Sequence, residues 1–106
     1  MLCEQDRGLA QTLKARLRQH IPILDFRVFG SRARGNASSD SDLDVFIVIP
    51  ERNQAHETAI SDISWEVGFD HRVIILPLVV SQVELRETAL RSAPIVENIM
   101  REGISV

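Results

Sequence analysis

Asp40, Asp42 and Asp44 stand on alternate positions and run straight into the apolar stretch 45–49. Gly30, Ser31, Arg32 and Arg34 lie just ahead of them. A core strand gains nothing from opening on acids, so the charge has to serve something else. In an extended chain, residues i and i+2 face the same way, roughly 6.6–7 Å apart. Asp42 and Asp44 would then share one face, continued inward by Phe46 and Val48. At that separation, with an effective dielectric near 20, two carboxylates repel by about 2 kcal/mol. Partial burial at a strand mouth adds a desolvation cost. A divalent cation turns this repulsion into attraction, and aspartate offers the hard oxygen ligands that Mg²⁺ (or Mn²⁺) takes.

The neighbouring elements decide whether the acids meet a ligand. Residues 24–30 alternate Leu24, Phe26 and Val28 against Asp25 and Arg27, which predicts a half-covered strand. Residues 43–49 are apolar on both faces beyond their first turn, which predicts a central strand ended by Pro50. A dozen residues separate the two, too few for a helical crossover and enough for an antiparallel pair. That pairing sets Gly30-Ser31 beside Asp42 and Asp44. Gly30 allows close approach of backbone to a ligand, and residues 31–35 read as the first turn of a short helix whose N–H groups could face an anion. An anion cradle and a metal mount at one corner describe a nucleotide-polyphosphate site.

The remaining elements complete a small mixed sheet flanked by helices, an α/β fold in one domain over residues 1–106. Leu9, Leu13 and Leu17 recur every four residues in a helix expected over 4–19, with acids in its first turn and arginines near its end. Ala59, Ile60, Ile63 and Val67 form the stripe of a helix over 54–67, and Gly68 reads as its C-cap. Residues 72–80 make a third strand, parallel to the second, in which Pro77 implies an edge position or a bulge. Ser81 and Glu84 form a capping box for a further helix, and a last helix runs from Pro94 to Gly103.

The segment "FGSRARG…SDSDLDVFIVI", a Gly-Ser turn, a spacer and Asp-x-Asp entering an apolar strand, resembles the signature of the minimal nucleotidyltransferase (MNT) family within the DNA polymerase β-like superfamily. The closing "SAPIVENIMREGISV" is similar to the endings of bacterial members. The resemblance implies a palm-like mixed-sheet fold and transfer of a nucleotidyl group from ATP with Mg²⁺. It makes Asp42 and Asp44 the metal ligands and Gly30 and Ser31 the triphosphate-binding turn, with Arg32 and Arg34 as neighbours of the phosphates. The family also places a third carboxylate inside the strand after the long helix, and residues 72–80 contain no acid. Asp70, just before that strand, is the candidate substitute, with a turn-capping residue as the competing reading. Larger relatives carry a second domain for the acceptor. The resemblance therefore implies an acceptor hydroxyl on a partner, a HEPN-domain protein in an antitoxin-like pairing, with a second copy of the chain as another partner. The alternative is a catalytically inactive nucleotide-binding module that acts by binding its partner.

The same acids fit two other patterns. Asp40, Asp42, Asp44 and Glu51 match positions 1, 3, 5 and 12 of an EF-hand loop, but Val45 stands where that loop needs glycine. A solvated network with Arg27, Arg32 and Arg34 is the remaining structural reading, and Asp40 suits loop solvation better than ligation. His20, His56 and His71 are scattered over three segments, and Trp65 lies off the apolar stripe of its helix as a packing or partner-facing residue. The net charge of −3 carries no polybasic signal for duplex nucleic acid or anionic membrane. No apolar run approaches the roughly 20 residues of a membrane span. A lone cysteine, Cys3, excludes an internal disulfide and fits a reducing, cytoplasmic setting.

Overall fold

The computed structural model describes residues 2–35 and 40–106. Residues 36–39, most of the spacer between the Gly-Ser turn and the acids, lie outside the described residues. Four strands form one sheet: β1 (Asp25–Phe29), β2 (Leu43–Ile49), β3 (Ile75–Ser81) and β4 (Ile104–Ser105). Their order is β3-β2-β1-β4. The helices are α1 (Glu4–Arg18), α2 (Gly30–Arg34), α3 (Gln54–His71), α4 (Gln82–Glu87) and α5 (Pro94–Glu102). A 3₁₀ turn, Ala89–Ser92, joins the last two.

β2 is interior, as its doubly apolar pattern requires, and every one of its residues except Asp44 is buried. It pairs antiparallel with β1, Phe29 opposite Asp44, and parallel with β3, Asp44 beside Leu76. β3 is an edge strand, where Pro77 is tolerated. The Leu43 N–H donates to the Ile74 carbonyl, so by strand alternation Ile74, Leu76 and Leu78 bond to β2 while Pro77 turns its missing donor outward. Arg52 covers the far half of that edge by donating to the Val79 carbonyl while pairing with Glu57 and Glu84.

Each sheet face has its own core, set by strand parity. Leu43, Val45, Ile47 and Ile49 join Phe26 and Val28 beneath α1 and α3. Phe46 and Val48 face the other way, with Val80, Val96 and Ile99 under α5. Asp42 and Asp44 continue this second row past the end of its core, so the acids open on the α5 side of the sheet.

Two expectations are corrected. The third helix does not stop at Gly68 but runs on to His71, capped by Arg72 in the left-handed region at φ 57°. Gly68 is needed for a different reason: a Cβ there would collide with the Val73 carbonyl where the chain turns into β3. The third strand consequently begins at Ile75 rather than residue 72. Cys3 caps α1, its Sγ accepting from the Asp6 N–H at 3.5 Å. β4, which pairs antiparallel with β1 through Arg27 and Val28, is a strand that periodicity missed. Among the described residues no helix is long and apolar enough to cross a membrane.

Candidate active site

The site grows from one tight approach between two strand ends. β1 delivers Gly30 at its last turn of chain, and antiparallel register sets Phe29 against Asp44. Gly30 holds φ at 77°, and a Cβ added there would collide with Asp44 Oδ2. Glycine is therefore required twice at this position, for its dihedral and for the space taken by the carboxylate. The Gly-Ser turn and the acid foreseen as neighbours are in contact.

Asp42 stands just before β2 and Asp44 inside it, both half-buried. Burial and then repulsion from Asp42 push the Asp44 carboxyl above the usual aspartate value, and the Arg34 guanidinium pulls partly the other way. Among the described residues neither the Asp42 nor the Asp44 side chain makes a hydrogen bond or ion pair with the protein. Arg27 pairs with Asp25 and Arg32 with Asp6, so two of the three arginines invoked for a solvated network are engaged elsewhere. The pair of carboxylates is uncompensated except for Arg34, and such a donor set fits a divalent cation.

Ser31 is half-buried on α2, three residues before Arg34 and on the same helical face. Arg32 points the opposite way into the protein. It is only 8% exposed, bonding Asp6 at 2.7 Å and donating from Nε to the Ser41 carbonyl at 2.8 Å. Asp40 is exposed.

Asp70 lies on the exposed last turn of α3 rather than at the strand mouth, because that helix continues past Gly68. Among the described residues no group of three or more His, Cys, Asp or Glu side chains converges on a metal position. The structure thus brings Asp42 and Asp44 together without Asp70. The side chain beside Asp44 on the neighbouring strand is Leu76.

A cleft and a groove open among the described residues. A cleft of about 270 Å³ lies against Gly30, Ala33 and Arg34 on one side and Ile95, Asn98 and Glu102 of α5 on the other. Its α5 wall was invisible in the sequence, since nothing in the spacing of those residues links them to the Gly-Ser turn. A wider groove of about 740 Å³ runs between α3 and β3, lined by Ser64, Trp65, Phe69, Arg72, Ile74 and Leu76. Trp65 and Phe69 are 68% and 70% exposed and stack with centroids 5.1 Å apart.

Comparison with known proteins agrees with this geometry. A family model described as a nucleotidyltransferase domain matches residues 10–105. A comparison with curated protein sequences gives no match. One solved structure, assigned as a minimal nucleotidyltransferase, is 28% identical with a TM-score of 0.67, covering 100% of this chain and 97% of that one. Two others share the fold. A toxin–antitoxin complex crystallised with AMP-PNP is 15% identical with a TM-score of 0.63, covering 90% of this chain and 70% of that one. A protein assigned as a nucleotidyltransferase from Sulfolobus solfataricus is 20% identical with a TM-score of 0.54, covering 92% and 76%. With nearly its whole length matched, and with the Gly-Ser turn seated against an Asp-x-Asp strand, the chain belongs to the nucleotidyltransferase domain family.

Proposed function

We propose that this nucleotidyltransferase takes Mg²⁺·ATP and transfers AMP to a hydroxyl on a partner protein of the HEPN type, in an antitoxin-like pairing in the cytoplasm. The observation that carries the reading is the contact between Gly30 and Asp44, which joins an anion-binding turn to an uncompensated carboxylate pair. Asp42 and Asp44 would hold Mg²⁺ (or Mn²⁺). Such an ion would supply charge neutralisation on the reacting phosphates and polarisation of the acceptor oxygen. Ser31 and the backbone at Gly30 hold the β- and γ-phosphates, and Arg34 balances charge near the α-phosphate. The acceptor oxygen forms a bond to the α-phosphorus as the α–β bridge breaks, pyrophosphate leaves, and the hydroxyl proton passes to solvent. The α5 cleft is slightly smaller than the roughly 300 Å³ of the smallest ligand pockets. It suits the base alone, with the phosphates outside along α2.

Two features support a protein acceptor. The groove walls are apolar, with Arg72 as the single cation among the lining residues, which does not suit a polyanionic nucleic acid. Leu76 brings the groove up to Asp44, so a polypeptide seated on Trp65 and Phe69 arrives beside the carboxylates. A second reading, a binding module without transfer, is favoured by the missing strand-borne acid. Labelled ATP with the purified HEPN-type partner distinguishes them. Label retained on the partner and lost with Asp42→Asn is the expected result. Tight ATP binding with no label in a single turnover selects the module. Ser31→Ala should weaken ATP more than AMP, since a lost hydrogen bond to a charged group costs about 1.5–3 kcal/mol.

A further inference from the structure

A charged pair that the proposed chemistry does not use sits directly behind the nucleotide turn. Arg32 and Asp6 are 8% and 7% exposed, with Nη1 to Oδ1 at 2.7 Å. They come from different helices, 26 residues apart. The same guanidinium donates through Nε to the carbonyl of Ser41, the residue before Asp42. One side chain therefore joins three segments: the first turn of α1, the helix carrying the Gly-Ser turn, and the entry of the strand carrying the acids.

Stability alone is a weak reason for such an arrangement. Buried ion pairs replaced by apolar side chains of similar volume often leave a protein as stable or more so, because the desolvation cost of the charges disappears. What an apolar pair cannot supply is direction. α2 is five residues long and buries only Arg32 and Ala33, far below the length at which a helix holds itself. Its rotation about its own axis is set by what Arg32 grips. α1 is a firm anchor, since Leu9, Leu13 and Leu17 are in the core under the sheet. Rotation of α2 would carry Ser31 and Arg34, on its other face, away from Asp44. Release of the Ser41 carbonyl would free the approach of the chain to Asp42.

We infer that Arg32, held by Asp6, is a positioning residue that sets the Gly30–Ser31 turn in register with Asp42 and Asp44, rather than a phosphate ligand. The inference rests on the nucleotide reading above. It places control of the nucleotide site in the first turn of α1.

The test measures Mg²⁺·ATP affinity by calorimetry and thermal midpoint in the full chain, for Arg32→Lys and for the paired change Asp6→Leu with Arg32→Met. The paired change should leave the midpoint within a few degrees and lower Mg²⁺·ATP affinity at least tenfold. Arg32→Lys keeps a charge for Asp6 but cannot also reach Ser41 in the guanidinium geometry, so it should fall between the two. A folded paired variant with wild-type affinity overturns the inference. If the paired variant does not fold, Arg32→Lys decides, and unchanged affinity in that folded variant overturns it equally. A wild type that binds no Mg²⁺·ATP refutes the nucleotide reading and this inference with it, whereas wild-type binding with unaffected variants refutes the inference alone.

Discussion

Asp44→Asn should make the metal-free protein more stable and the Mg²⁺-loaded protein less stable than wild type, so that the two melting curves change order on adding the ion. The Asp44 carboxyl is raised by burial and by Asp42. The folded state then holds a proton that the unfolded state has already released. Stability is full below the usual aspartate range and falls as pH rises through the raised folded value. At neutral pH the ionised pair is a standing cost. Coulomb's law at about 7 Å and a dielectric near 20 gives about 2 kcal/mol. Both acids are half-exposed and Arg34 offsets part of the charge, so screening reduces this to roughly 0.5–1 kcal/mol. For a domain near this size 1 kcal/mol moves the midpoint by roughly 4–8 °C. Asn at 44 should therefore melt about 2–8 °C higher in EDTA. Mg²⁺ at a hundred times its dissociation constant adds about 2.7 kcal/mol to the wild type, and the variant should gain less than a third of that. Scanning calorimetry at pH 7 and at pH 4, with EDTA and with Mg²⁺, measures all four corners. The EDTA gain should be smaller at pH 4 than at pH 7. No gain in EDTA, or an equal Mg²⁺ response in both proteins, would refute the argument that Asp42 and Asp44 form an uncompensated mount.

Gly30→Ala should abolish ATP binding, since a methyl at φ 77° meets the Asp44 carboxylate; an isotherm like that of wild type would remove the turn from the site. Asp70→Asn should leave transfer to the partner within about twofold, because among the described residues no third acid joins a pair at a metal position; a sharp loss of transfer with intact ATP binding would restore a metal role for it. Trp65→Ser with Phe69→Ser should leave ATP affinity unchanged while lowering transfer at least tenfold, as both rings are exposed on the proposed docking groove. Transfer at the wild-type rate would move the partner to another face.

Much of this molecule was legible before any coordinates, and the legible part has one physical character. Strand parity placed Asp42 and Asp44 on one face with Phe46 and Val48, because alternation is a property of each extended segment by itself. The length of the connection made β1 and β2 antiparallel, and the α3 crossover made β2 and β3 parallel. A proline inside an apolar run left β3 an edge position or a bulge, and the sheet order makes it the edge. These are short-range rules, and they set the two ends of the site together. The contact of Gly30 with Asp44 follows from them.

Long-range partners were not legible. The resemblance makes Arg32 a phosphate neighbour, and nothing in the sequence reveals that Asp6 pairs with it from the first turn of α1. Asp70 reads as a strand-mouth acid because Gly68 is a good helix stop. Packing overrides that preference: the glycine lets α3 lie against the Val73 carbonyl, and the helix carries Asp70 onto its exposed last turn. Two residues, Ile104 and Ser105, are too few to show a period, so β4 exists only through its pairing with β1. The α5 wall of the cleft has the same origin. Which side chains share an element is written in their spacing, whereas which elements press their faces together depends on the closing of the whole core.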